Sequence, residues 1–287
     1  MQYFIQIADI SILADVPYCL HSNDLTKEFV FPVTGAKESD LRFEIHPVEK
    51  LSDRTDVLYE EARRVYVGTG DNAGTYFSSY PGSNPYAFVS RHSVREGNLF
   101  CEYLPGKEKY MDYAHNIISL MDIEATLLDF HALILHASFI RYSGYGIVFT
   151  APSGTGKSTQ AELWERYEGA EVLNGDRAAL RQIDGQWCAY GLPYAGTSGI
   201  YRNESAPLHA IVVLRQAKEN RIRQIHGSEA FRYLYPETLI HRWDAEFEQR
   251  ATDLLLTLLE DIPVFLLECT PDREAVSLLR DTLNDYK

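Results

Sequence analysis

Polar and apolar positions alternate strictly at Leu41-Arg-Phe-Glu-Ile-His46, with Leu41, Phe43 and Ile45 on one side and Arg42, Glu44 and His46 on the other. That period of two predicts a half-buried β-strand. Shorter runs of the same kind occur at 3–7, 29–31, 65–67, 86–89 and 99–104. Turn residues gather at 70–74, 81–85, 97–98 and 105–106 and separate the later runs. The chain up to about residue 113 is therefore expected to form a largely antiparallel sheet of meanders. Tyrosine and phenylalanine are dense here. They suit strands, and the alternative is an aromatic surface that receives a peptide.

The pattern changes at 116–135, where Ile117, Leu120, Met121, Leu127, Leu128, Leu133 and Ile134 crowd most faces of a helical wheel. This predicts a helix packed on several sides. A boundary near Ala114 divides the chain into a β-rich N-terminal domain, 1–114, and a second domain, 115–287. In the second, Ile147, Val148 and Phe149 form a buried strand bounded by Gly144 and Gly146. Residues 156–167 follow as a helix, with Ala161, Leu163 and Trp164 inward and Gly169 at its end. Val172 and Leu173 make a short strand, and Asp184-Gly185 signals a hairpin between 178–183 and 186–190. Further strands fall at 210–215 and 263–268, and Asp244 caps a helix over 244–260. Thr270 is expected as N-cap of the last helix, with Pro271 at its first position. The expected class is α/β, with a layer built around the strand at 145–150.

Composition narrows the function. The 287 residues are 45% hydrophobic and 24% charged, and 41 acidic against 27 basic residues leave a formal net charge of −14. Nucleic acid and anionic membranes need a basic surface, so neither is an expected partner. The four cysteines, Cys19, Cys101, Cys188 and Cys269, lie far apart without zinc spacing. Asp9 and Asp15 interrupt the N-terminal apolar stretch, and Asp122, Glu124 and Asp129 interrupt the longest later one. A cytoplasmic protein is expected. His21, His46 and His92 are isolated. His131 and His136 are five apart, off a common helix face.

Chemistry concentrates at Ala151-Pro-Ser-Gly-Thr-Gly-Lys-Ser-Thr159, between the strand and the helix. This is the context of a phosphate-binding P-loop. Its glycines let the backbone curl so that N–H groups of Ser153, Gly154, Thr155, Gly156, Lys157, Ser158 and Thr159 face phosphate oxygens. Lys157 would reach the β- and γ-phosphates, and the Ser158 hydroxyl would hold Mg²⁺. ATP is the expected nucleotide. Asp176 follows the next strand, where a metal-binding acid is expected; otherwise it is a turn residue after Asn174-Gly175. A second glycine-rich loop at 191–199 could contact phosphate or acceptor, or be a plain turn. Arg202 is the nearest cation that could steady a transferring phosphoryl group, or a surface arginine.

The stretch from His136 through Ser138, Gly144-Tyr-Gly146 and Ala151 to Lys157 resembles the HPr kinase/phosphorylase family, and more distantly the phosphate loop of phosphoenolpyruvate carboxykinase. Gly175-Asp176-Arg177 stands where that family has Asp-Asp-Arg. The resemblance is good over 135–200 and weakens beyond. It implies a P-loop kinase domain of this type, a protein or peptide hydroxyl as acceptor, and homo-oligomers. Two departures stand out: Gly175 replaces the acid that resembles a general base, and Thr159 replaces a glutamate. His136 is then the leading substitute base, with Asp184 or an acid of the N-terminal part as alternatives. A small-molecule kinase or a nucleotide sensor without chemistry are the competing readings.

Overall fold

The computed structural model describes residues 1–34, 38–91 and 97–285, so His92 lies outside the described residues. The chain divides into two compact units, Met1–Phe130 with His241–Gln249, and His131–Ile240 with the remainder from Arg250. The whole is mixed α/β with two sheets.

The first unit carries a nine-stranded sheet. Its strands are β1 (Gln2–Ile7), β2 (Ile10–Asp15), β3 (Val30–Pro32), β4 (Leu41–Pro47), β5 (Val57–Glu61), β6 (Arg64–Val67), β7 (Gly74–Ser78), β8 (Pro85–Ser90) and β9 (Asn98–Tyr103). They are ordered β3-β1-β2-β4-β9-β8-β7-β6-β5. The antiparallel meander is present from β5 to β9, but β4 runs parallel to both β2 and β9. Parallel neighbours need a long connection, and residues 16–40, which include β3, supply one. Alternation buries one face: Ile10, Ile12, Leu41, Phe43 and Leu99 are fully buried, and Phe43 sits opposite Leu99.

The expected single helix over 116–135 is not formed. Two seven-residue helices, α1 (Ala114–Leu120) and α2 (Ile123–Asp129), are broken apart by Asp122 at φ 50°. After His131, at φ 57°, the chain becomes strand β10 (Ala132–Tyr142). Positive φ stops a right-handed helix. Beyond it, the apolar run is buried on both faces, which a central strand tolerates as well as a buried helix does.

The second unit's sheet is built from β10, β11 (Tyr145–Thr150), β12 (Glu171–Asn174), β13 (Arg177–Ile183), β14 (Gln186–Gly191), β15 (Ser205–Gln216), β16 (Arg221–Ile225) and β17 (Val264–Cys269). Strand β10 pairs with β13 over Ala132 to His136, then with β11 from Ala137 onward. Strand β15 likewise pairs with β14 at its start and with β11 and β17 later. The handover on β10 at His136 brings the end of β11 beside the start of β13. The remaining helices are α3 (Lys157–Glu168), α4 (Gly227–Leu234), α5 (Ala245–Asp261), whose residues up to Gln249 belong to the first unit, and α6 (Arg273–Asp285). Trp164 of α3 is fully buried, its ring 5.1 Å from that of Tyr142. Asp244 accepts from the N–H groups of Glu246 and Phe247 at 3.0 and 3.1 Å, the expected cap of α5. For α6 the cap is Asp272, which accepts from Ala275 N–H at 2.9 Å, and not Thr270. Thr270 instead bonds Asn220 and Asp272.

Candidate functional site: the glycine loop between β11 and α3

The buried side chains of Ile147, Val148 and Phe149 fix the end of β11, and the chain then turns outward at Pro152. Thr155 N–H closes a turn onto Pro152 O at 3.2 Å. Gly154 and Gly156 take φ values of 78° and 119°, which a side chain would strain, and a Cβ at either would meet nothing within 4 Å. The space over the loop is open. Helix α3 starts at Lys157 with no side-chain cap, so its first-turn N–H groups and positive end face that space. Lys157 is buried and donates from Nζ to Ala151 O at 2.7 Å and Pro152 O at 3.4 Å. Desolvation holds its pKa below the ordinary lysine value, against the opposing charges of Glu237 and Asp176.

Asn174, fully buried at the end of β12, builds the turn that displays Asp176. Its Oδ1 accepts from the N–H groups of Asp176 and Arg177 at 2.8 and 2.9 Å, and its Nδ2 donates to Leu192 O at 2.7 Å. Asp176 O accepts from Ala137 N–H at 2.9 Å, locking the turn onto β10. The Ser158 hydroxyl donates to Gly175 O at 3.4 Å, and the Ser138 hydroxyl to the same oxygen at 3.2 Å. The first turn of α3 thus meets the backbone just before Asp176. The Asp176 carboxylate lies 3.6 Å from Arg177, whose guanidinium stands 4.6 Å from the centre of the Tyr194 ring.

His136 reaches the same place through the β10 handover. Its carbonyl accepts from Thr150 Oγ1 at 3.0 Å, on the last residue before the loop. Its Nδ1 lies 2.9 Å from Glu237 Oε2. Glu237 closes a single 3-10 turn after α4, and Leu239 N–H pins the following segment onto Ile134 O at 2.9 Å. Nothing in the sequence singles out Glu237, because its partner is 101 residues away and joined only by tertiary packing.

Other expected members are not gathered. Arg202 lies 3.6 Å from Glu204 and is half exposed, and Arg141 pairs with Glu204 and Glu171 beside it. No contact joins Arg202 to the loop among the described residues. Asp184 sits at the hairpin tip, at the far end of the seven-residue strand β13 from Arg177. That is about 20 Å at the rise of an extended strand, out of reach of a reacting group. The second glycine loop covers the Asp176 turn. A Cβ on Gly196 would come within 2.8 Å of Asp176 Cβ, and one on Gly175 would overlap the Ser198 hydroxyl and lie 2.6 Å from Ser198 Cβ. Ser198 fills the place a side chain at 175 would take.

Fold and site together define a mixed α/β protein with an open glycine loop, an uncapped helix end and a clustered lysine, serine, aspartate and histidine–glutamate pair. The profile of the SynChlorMet cassette protein ScmC family matches residues 99–271, more than half of the chain, and the chain belongs to that family. Among solved structures it is similar to one described as the Hpr(Ser) kinase/phosphatase from Coxiella burnetii. The identity is 16%, covering 53% of this chain and 88% of that one, with a TM-score of 0.32. No curated protein matches the chain.

Proposed function

We propose that the chain is an ATP-dependent phosphotransferase that moves the γ-phosphate to a hydroxyl, with a protein or peptide serine preferred over a small molecule. The observation that carries this reading is the junction of Ser158 and the Asp176 turn on Gly175 O, at the mouth of the open loop. The residues fit the implied groups. Lysine at the loop end, backbone N–H groups and the unstrained space over Gly154 and Gly156 suit a triphosphate. Hydroxyl and carboxylate oxygens suit Mg²⁺. Ser158 and Asp176 would hold the metal, and Lys157 with the N–H groups of 153–159 would hold the nucleotide. Bound ATP·Mg²⁺ would supply an activated phosphoryl group whose charge is partly neutralised.

The protein's own share is positioning and proton transfer. With Nδ1–H of His136 donating to Glu237, Nε2 carries the lone pair and can take the acceptor's proton. Glu237 then fixes the tautomer and stabilises the imidazolium. A loose transition state asks little of a base early, so a histidine can serve where Gly175 offers no acid. Incubation with γ-labelled ATP and extract is expected to mark a discrete acceptor. Lys157→Ala is expected to lower transfer by roughly 10²–10³, as for loss of one transition-state donor; survival of full activity refutes the site. ATP binding with neither transfer nor hydrolysis would favour a nucleotide sensor, the reading to which the filled position beside Gly175 lends support.

A further inference from the structure

The first unit holds a second group of ligand-type side chains, which phosphotransfer does not use. Asp122 stands between α1 and α2, Glu124 lies in the first turn of α2, and His241 precedes α5. All three belong to the same unit. One ligand atom from each lies within 4.8 Å of the others. Asp122 is 4% exposed, and its buried Oδ1 accepts no hydrogen bond. His241 Nε2 stands 3.5 Å from that oxygen. We propose that Asp122, Glu124 and His241 bind one divalent transition-metal ion of the zinc class, through one imidazole nitrogen and two carboxylates.

Three further features support the site. The spacing suits a metal: two ligands each about 2.1 Å from zinc in tetrahedral geometry stand roughly 3.4 Å apart, close to the 3.5 Å between Asp122 and His241. A Glu124 carboxylate oxygen lies within 4.8 Å of both. The imidazole is held in place beforehand, stacked on Trp243 at 5.0 Å and on Phe247 at 4.4 Å. The charge also needs an answer. Two carboxylates this close, one of them buried, favour a cation between them. Arg64 acts on both electrostatically, but its Nη1 donates to Tyr66 Oη at 3.2 Å and its Nη2 to Ser119 O and Oγ at 3.3 and 2.8 Å. Mixed imidazole and carboxylate donors favour zinc-like ions over Mg²⁺, which prefers oxygen alone. The ion would tie the α1–α2 junction to the segment before α5.

The test uses the full chain, stripped with chelator and equilibrated with Zn²⁺ or Co²⁺ without nucleotide. One bound equivalent per chain is expected, with visible Co²⁺ bands of nitrogen and oxygen coordination. Asp176→Asn should keep that equivalent, which separates this site from the glycine loop. Asp122→Asn and His241→Gln should each weaken binding at least tenfold, with folding checked by circular dichroism. Failure of the wild-type chain to take up either ion, which needs no variant, overturns the site and leaves an Asp122–His241 ion pair. Unchanged binding in folded His241→Gln also overturns it.

Discussion

Gly175 is held empty by Ser198, and this can be measured directly. The Gly175 backbone is not left-handed, so it would accept an ordinary side chain on conformational grounds. Only the neighbour forbids it: a Cβ there overlaps the Ser198 hydroxyl and comes within 2.6 Å of Ser198 Cβ. Ser198 cannot step aside cheaply. Its hydroxyl donates to Ala195 O at 2.9 Å and accepts from Ile200 N–H at 3.3 Å, so displacing it opens the loop. Gly175→Ala is therefore an overpacking change, costing about 1–3 kcal/mol. That corresponds to a fall of roughly 2–12 °C in the melting midpoint of the second unit. Ser198→Gly removes the obstacle but forfeits two local hydrogen bonds, at about 0.5–1.5 kcal/mol each. In the double variant the clash is gone, so the two changes should couple by about 1 kcal/mol or more in a double-mutant cycle. Thermal melts of the wild type, both single variants and the double variant decide it. A Gly175→Ala protein that melts with the wild type, or strictly additive effects, refutes the account of the filled position.

Three other outcomes follow from the geometry. Desolvation lowers the Lys157 pKa, so the folded protein releases that proton below the 10.5 of an unfolded chain. Across that window the stability of the nucleotide-free protein should rise with pH, while ATP affinity falls as the charge is lost; Lys157→Arg should abolish both slopes in urea melts and nucleotide titrations. His136→Ala and Glu237→Gln should each lower turnover by about 10²-fold or more if they act as a base and its positioning partner, and the double variant should be little worse than either. An unchanged pH–rate profile in His136→Ala removes His136 as the base. In the first unit, Arg91 bonds Asp129 at 2.7 Å and also Thr126 and Met121, with side chains 12% and 18% exposed across the ion pair. Arg91→Ala should cost up to about 3 kcal/mol in urea unfolding, because it takes a charge partner from a largely buried carboxylate.

What the sequence shows and what it hides divide along physical lines. Strand β11, the glycine loop and α3 are legible because each is fixed by residues next to one another in the chain. The same holds for the hairpin at Asp184-Gly185, whose two residues take φ values of 50° and 78° as its turn requires. Strand β10 is not legible as a strand, because an apolar run buried on both faces has no period to read. Strand β2 does carry its signal, Ile10, Ile12 and Ala14 alternating with polar or half-buried neighbours. Its parallel place beside β4 depends on a crossover that no local pattern encodes. Glu237 and Ser198 stay hidden for a different reason. Each acts on a residue far away in sequence, and neither type is unusual where it stands.

The two hidden residues bear on the same chemical question. Where a carboxylate at 175 would sit beside Asp176, the chain places the Ser198 hydroxyl, and the nearby ionisable pair is His136 with Glu237. If His136 takes a proton that a carboxylate at 175 could also take, supplying that acid should make the histidine dispensable. Gly175→Asp with Ser198→Gly has the room for a carboxylate that the single variant lacks. Adding His136→Ala to that double variant should then cost little turnover, while the same change in the wild type costs about 10²-fold. An equal loss in both backgrounds would mean that His136 has a duty an acid at 175 cannot take over, such as holding the end of β11 through Thr150. The comparison separates a proton-accepting histidine from a structural one, which measuring either variant alone does not.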